Sequence, residues 1–307
     1  MRIGLMHGEA SNFTVAEMVQ QIVDEEQDGF ECAWFGQIFG ADSLTVIAMA
    51  GQRTSRIQIG TAVIPTYTRH PWAMAQQAMT VQAATGNRFT LGIGPSHQVV
   101  VEHMWGLSYE KPARHVKEYL SVLLPLMREG RVAFSGEVYR TTGAIEVPGI
   151  QPLPVIISAL APMMLKIAGT MADGTATWMT GPKTIETHVV PGITAAAREA
   201  GKPAPRVVVG LPIAVSEDVA AAREAAGKAF RMYGGLPNYK RMLDKEGAAG
   251  PADVAIVGSE AQVEQQLRAL AGAGATDFVA PIFPVGPDAA ASFARTRALL
   301  KSLIGKV

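Results

Sequence analysis

The sequence predicts an α/β fold in the form of a (β/α)8 barrel with an insertion after the fourth strand, and three observations predict it. Apolar runs that would be buried on both faces alternate with helical runs, the pattern of a parallel sheet covered by helices. Eight such runs follow one another along the 307 residues, the number that closes a barrel. No G-x-G-x-x-G follows the first run, which argues against an open, doubly wound sheet.

The first strand is RIGLM, residues 2–6. Val15, Met18, Val19, Ile22 and Val23 then recur on one helical face. Thr14 with Glu17 forms a capping box at the start of that helix, and Gly29 suits its stop. ECAWF (31–35) is the second strand, followed by a helix over 43–53. IQIGTAVI (57–64) is the third, and a helix then runs from Pro71, a good first helical residue, to about residue 85. FTLGI (89–93), PVIIS (154–158), TATWM (175–179), RVVVGLPIAV (206–215) and TDFVAPIF (276–283) complete the eight. A helix opened by a second capping box, Ser259 with Gln262, feeds the last strand and ends near Gly272. Residues 98–150 are too long for one crossover. Their pattern predicts a helix over 112–128, bent near Pro125, and a hairpin-like VAFSGEVYR (132–140), lying over the barrel mouth. Residues 234–250 read as a second irregular stretch. No linker or low-complexity tract divides the chain, so residues 1–307 read as one domain.

Composition narrows the function. Lys+Arg and Asp+Glu each number 27, so the net charge is zero. Neither a basic patch for nucleic acid nor a polybasic run for a membrane is present. The one cysteine, Cys32, excludes an intramolecular disulfide and a Cys-based zinc site; beside Ala33 and Trp34 it reads as a buried thiol. The N-terminal MRIGLMHGEA lacks the apolar stretch of a signal peptide. No apolar run reaches the ~18 residues of a membrane span. The expectation is a cytoplasmic protein acting on a small molecule.

In such a barrel, chemistry sits at the carboxyl ends of the strands. The residues there are His7 and Gly8, Gly36 to Ile38, Thr66 to His70, Gly94 to His97, Ala159 to Met163, Thr180 to Thr184, and the stretch 284–287. They include few acids and no Ser-His-Asp order. His7, His70 and His97 lack the local spacing of a zinc motif, so no metal is expected. Glycine, proline, methionine and aromatic residues instead suit a bound cofactor that carries the reactivity. In SALAPMMLKIAG a strand ends at Ser158 and a helix starts near Pro162, where free N–H groups can hold a phosphate; an ordinary βα turn is the alternative. TGPKT (180–184) offers the same choice, with Lys183 as a charge partner.

Four stretches, in order, resemble the bacterial luciferase-like monooxygenase superfamily. They are GTAVIPTYTRHPWAMAQQAMTVQAATGNRFTLGIG (60–94), GLSYEKPARHVKEYLSVLLPLMREGRVAFSGEVY (106–139), PVIISALAPMMLKIAGTMADGTATWMTGP (154–182) and VGSEAQVEQQLRALAGAGATDFV (257–279). The pattern is most similar to the branch that uses the deazaflavin coenzyme F420. The resemblance implies a luciferase-like barrel with the cofactor ring at its mouth, and a homodimer by analogy. It implies a bulge behind the ring, with a non-prolyl cis peptide at Ala62–Val63, and Thr61, Ala62 and Val63 in contact with the cofactor, the small Thr61 and Ala62 suiting a ring that lies on the backbone. It implies that Gly94, Pro95, Ser96 and His97 run along the ring, with Gly92 and Gly94 giving the backbone room. Ser158, Ala159, Leu160 and Ala161 match the stretch that holds the phosphate tail. In relatives whose fourth strand ends the same way, the position matching His97 can carry an acidic proton donor, so His97 is the catalytic candidate, a histidine near its usual pKa. A histidine that only binds the cofactor is the alternative.

One departure is GQIFG after the second strand. Gln37 and Ile38 stand where relatives often have an acid or a histidine, and Gln37 is expected to hydrogen-bond the ring. That disfavours alcohol or sugar-phosphate dehydrogenation. His7, His70 and Thr180 are candidate substrate contacts, although His70 could instead cap a helix. The expected activity is hydride transfer from F420 to a small, fairly hydrophobic substrate. The rivals are an FMN-dependent monooxygenase and a non-catalytic cofactor-binding homologue.

Overall fold

The computed structural model describes residues 1–7 and 13–307. Among these, eight parallel strands form the barrel: β1 (Arg2–His7), β2 (Cys32–Phe35), β3 (Gln58–Thr61), β4 (Phe89–Gly94), β5 (Val155–Ile157), β6 (Gly174–Trp178), β7 (Arg206–Gly210) and β8 (Asp277–Ala280). Each pairs with its chain neighbours, β8 pairs with β1, and Ile59 of β3 pairs with Phe89 of β4, so the barrel has no free edge. The principal helices are α1 (Val15–Asp28), α2 (Ser43–Gly51), α3 (Pro71–Ala84), α4 (Pro112–Glu129), α5 (Pro162–Met171), α6 (Val190–Glu199), α7 (Val219–Ala229), α8 (Pro237–Glu246), α9 (Glu260–Gly272) and α10 (Ala289–Leu303).

The capping signals act as expected. Glu17 accepts from the Thr14 amide at 2.7 Å, Gly29 closes α1 at φ 90°, and Gln262 accepts from the Ser259 amide at 2.9 Å. Alternation along the strands divides the core in two. On β1, Ile3 and Leu5 pack outward under the helices, whereas Met6 packs inward. The interior holds Cys32, Trp34, Ile156, Val208 and Val279, all fully buried. Trp34 is therefore core, and truncating it to alanine would cost roughly 3–5 kcal/mol. Cys32 accepts from the Trp34 indole N–H at 3.3 Å, and burial pushes its thiol up to about 12. At the amino end, Asp277 is fully buried between Arg206 at 2.8 Å and Arg2 at 2.9 Å, which compensates its charge.

Four expectations change. The third apolar run is broken: β3 stops at Thr61, and Ile64–Pro65 resumes pairing with β4 after the bulge. The seventh run is two strands, because Ile213–Val215 leaves the barrel to pair with Ile256–Gly258. Residues 234–250 are not irregular, since α8 occupies most of them. In residues 98–150, α4 spans Pro125 and packs against α3, and Arg131–Ser135 pairs with Arg140–Ala144 beside it. Only the stretch up to Ala113 reaches the mouth.

Candidate cofactor and active site

A cavity of about 380 Å³ opens at the carboxyl ends of the strands, within the roughly 300–1,000 Å³ of small-molecule sites. Its floor is the apolar interior capped by Met6, Ala62, Val63 and Ala176. Among the described residues no carboxylate lines it, and Arg241 is the only lysine or arginine that does. Groups of acidic, histidine or cysteine side chains able to hold a metal ion are absent among the described residues.

The Ala62–Val63 peptide is cis, and both residues line the cavity. Thr61 does not: it is fully buried, and its hydroxyl donates to the Gly92 carbonyl at 2.8 Å and accepts from the Gly92 amide at 2.7 Å. A Cβ on Gly92 would sit 1.8 Å from the Thr61 carbonyl oxygen. Gly92 is thus glycine for the seam between strands, not for a ligand. Gly94 lines the cavity, but a Cβ there would meet Ser158 Oγ at 2.2 Å and Val63 at 2.9 Å. Its bareness lets three strand exits converge.

Pro95, Ser96 and His97 continue along the wall. Ser96 takes the left-handed conformation at φ 58°. The His97 ring lies edge-on to Tyr239 at 5.3 Å. Burial lowers the His97 pKa below its ordinary 6.5. The expectation of an unshifted histidine is corrected accordingly: the imidazole is predominantly neutral at pH 7.

After β5, Ser158, Leu160 and Ala161 face the cavity. Ala159 faces away, its amide and carbonyl bound by Thr175 Oγ1 at 3.1 and 3.0 Å. His188 Nε2 lies 2.7 Å from the Leu160 carbonyl and fixes the same loop. Helix α5 begins with Pro162 after Ala161 and has no side-chain cap. Met163 and Met164 of its first turn stand in the wall, where backbone N–H groups of an uncapped helix start could hold an anion. The parallel reading of TGPKT fails. Glu246 accepts from the Lys183 amide at 3.1 Å, and from the Thr184 amide and hydroxyl at 2.7 and 2.6 Å, so that helix start is already filled by a carboxylate.

Three candidate substrate contacts lie outside the cavity lining. His7 follows Met6 by one residue on β1 and so points outward. Its Nε2 contacts the fully buried Glu25 carboxylate at 2.7 Å without hydrogen-bond alignment, and its Nδ1 lies 3.3 Å from Gln21 Oε1. His70 caps α3, accepting from the Trp72 amide at 3.2 Å. Thr180 is fully buried and donates to the Trp178 carbonyl at 3.0 Å. Gln37 lines the cavity, but its Oε1 accepts from the Ser43 amide at 3.1 Å, leaving its NH2 for a ligand. Gly8 lies outside the described residues.

The outer wall was foreseen only in part: the segment after His97 was expected over the mouth, and the helix after residue 236 was not. Trp105 and Tyr109 come from the stretch after His97, and Asn238, Tyr239 and Arg241 come from α8. The signal for α8 was available: Pro237 is a first-turn proline, and Tyr239, Met242 and Leu243 recur on one helical face before Gly247.

A closed parallel barrel with one mouth lined by strand exits defines a (β/α)8-barrel of the enzymatic kind. The profile of the luciferase-like monooxygenase family matches residues 1–277, and the chain belongs to that family. It is 29% identical over 268 residues to a 5,10-methylenetetrahydromethanopterin reductase of Methanolobus tindarius, covering 85% of this chain and 79% of the relative. The coenzyme F420-dependent tetrahydromethanopterin reductase of Methanopyrus kandleri superposes with a TM-score of 0.80 at 23% identity, over 98% of this chain and 96% of that one. A type II Baeyer-Villiger monooxygenase of Pseudomonas putida, solved with FMN, superposes with a TM-score of 0.77 at 15% identity, over 100% and 99%. These superpositions establish a shared luciferase-like barrel.

Proposed function

We propose that the protein is an F420-dependent oxidoreductase that reduces an uncharged, fairly apolar substrate at a C=C or C=N bond. The observation that carries this reading is the pairing of an apolar slot, backed by Ala62 and Val63, with the uncapped start of α5 on the same cavity. A deazaflavin cofactor has those two needs: a flat apolar bed for its ring and N–H donors for its phosphate. When bound, it supplies a hydride. A relative named as a putative coenzyme F420-dependent oxidoreductase and the F420-dependent reductase of Methanopyrus kandleri support this cofactor.

The remaining tasks fall to side chains. Ala62 and Val63 would back the ring, and the Gln37 amide and Gly94 to Ser96 would meet its edges. Ser158, Leu160, Ala161 and the first turn of α5 would hold the tail. His97 would manage the proton. Because burial favours its neutral form, the reductive direction should speed up as pH falls below neutral. Exposed Phe39, Met163 and Met232 at the rim match an apolar substrate. We further propose that residues 1–307 act as one domain and pair as a homodimer.

The test is anaerobic mixing with reduced F420 and a panel of apolar enones and imines, followed through oxidised deazaflavin absorbance. Turnover with any of them supports the reading. Turnover only with reduced FMN and oxygen replaces it with the monooxygenase reading.

A further inference from the structure

The loop that carries His97 is held at both ends by one polar and aromatic chain. At its start, the Gly94 carbonyl accepts from the Thr66 amide at 2.9 Å and the Thr66 hydroxyl at 3.3 Å. The same hydroxyl lies 2.9 Å from His115 Nε2. The His115 ring is stacked on Tyr67, with centroids 3.9 Å apart and planes within 1°. Tyr67 in turn stacks on Tyr109 at 5.6 Å. At the far end, the Tyr109 hydroxyl donates to the Ser96 carbonyl at 3.1 Å. Ser96 is the left-handed residue whose conformation turns the chain just before His97.

We propose that Tyr109 is a positioning residue: its bond to Ser96, braced through Tyr67, His115 and Thr66, fixes the direction in which His97 enters the cavity. The inference rests on the reading of His97 above. Its chemistry is consistent. Burial pushes the Tyr109 and Tyr67 hydroxyls up to about 12 and the His115 pKa down to about 4. Tyr109 therefore remains a donor, and His115 remains a neutral ring, at any pH where an enzyme of this kind would work. With Thr66 donating to Gly94, a neutral His115 completes the bond through its Nε2–H. A left-handed serine is held by its surroundings rather than by its own preference, and here the Tyr109 hydroxyl is a surrounding group that touches it directly.

The test uses the full chain with isotope-labelled histidine and follows the His97 ring by NMR across pH, without cofactor. Tyr109→Phe keeps the ring stack and removes only the hydroxyl. The expected result is a thermal midpoint lowered by only about 2 °C, as for one lost hydrogen bond, with a His97 pKa that rises toward 6.5 as the ring meets more water. Thr66→Val, at the other anchor, should move it the same way. A packing role alone predicts that Tyr109→Phe matches the wild type and that only Tyr109→Leu differs, and that result overturns the proposal. So does a His97 titration unchanged in both Tyr109→Phe and Thr66→Val. F420 titration of the same samples separates the two readings. Absent binding with a shifted His97 sinks the cofactor assignment and leaves the positioning role standing.

Discussion

Replacing His115 by phenylalanine should make the protein less sensitive to acid. His115 is only 5% exposed, and burial lowers its pKa from 6.5 to about 4, with Glu118 pulling weakly the other way. The unfolded chain therefore binds a proton near pH 6.5 that the folded chain refuses until about pH 4. Stability contributed by the neutral ring is full above the unfolded pKa and is lost as pH falls through that interval. At about 1.4 kcal/mol per pKa unit, the interval corresponds to a ceiling of roughly 3 kcal/mol. Relaxation around the protonated ring, which raises the effective dielectric even at buried sites, brings the expected loss to about 2 kcal/mol. Phenylalanine keeps the stack on Tyr67 and gives up the Thr66 contact, a penalty of about 1 kcal/mol that does not vary with pH. Urea unfolding of both proteins from pH 7.5 to 4.0 isolates the effect, because other titrating groups cancel in the difference. The wild type should lose about 2 kcal/mol more than His115→Phe between pH 6.5 and 4. Parallel pH profiles would refute the reasoning.

Other outcomes follow from the same geometry. Ala161→Asp should cap α5 and stabilise the fold by about 1 kcal/mol in a thermal melt, while a carboxylate on the phosphate donors weakens F420 binding at least about tenfold. Gly92→Ala drives a Cβ into the Thr61 carbonyl oxygen and should cost about 3 kcal/mol or more, read as a lower melting temperature or loss of soluble protein. The Glu118 carboxylate accepts from the amides of Glu137, Val138 and Tyr139 at 3.1, 2.7 and 3.1 Å. Glu118→Gln should therefore speed hydrogen exchange at those amides about tenfold without changing F420 affinity. His97→Asn should flatten the acid-side rise of the reductive rate, measured as kcat/KM against pH.

Much of the barrel was legible because its signals are local. The capping boxes at Thr14 and Ser259 and the eight apolar runs each declare themselves within a few residues. The runs around 57–64 and 206–215 merged two strands each, because a cis peptide after Thr61 and a departure after Gly210 leave the apolar pattern unbroken. Strand exits identified Gln37, Gly94 to His97 and the Ser158 loop as neighbours of the mouth. They misplaced His7 and Thr180, whose side chains are turned from the cavity. For His7 the two-residue period of β1 already indicated this, since Met6 takes the inward position. The outer wall was hidden for another reason. Tyr239 and Arg241 lie tens of residues from the strand exits that they face, and Tyr109 lies 13 residues beyond Ser96 on a stretch with no strand or helix periodicity; only the closed barrel brings them there. The filled helix start at Thr184 was equally invisible, because its partner, Glu246, lies 62 residues away.

The central claim is that this mouth is built for a deazaflavin with a phosphate tail. Trp105 and Trp178 line it, so quenching of tryptophan fluorescence reports occupancy. Titration with oxidised F420 and with FMN, on the wild type and on Ala161→Asp, tests the claim most directly. The account predicts saturable F420 binding at much lower concentration than FMN, and a clear loss of F420 affinity in the variant. Preference for FMN, or F420 binding untouched by Ala161→Asp, would contradict it.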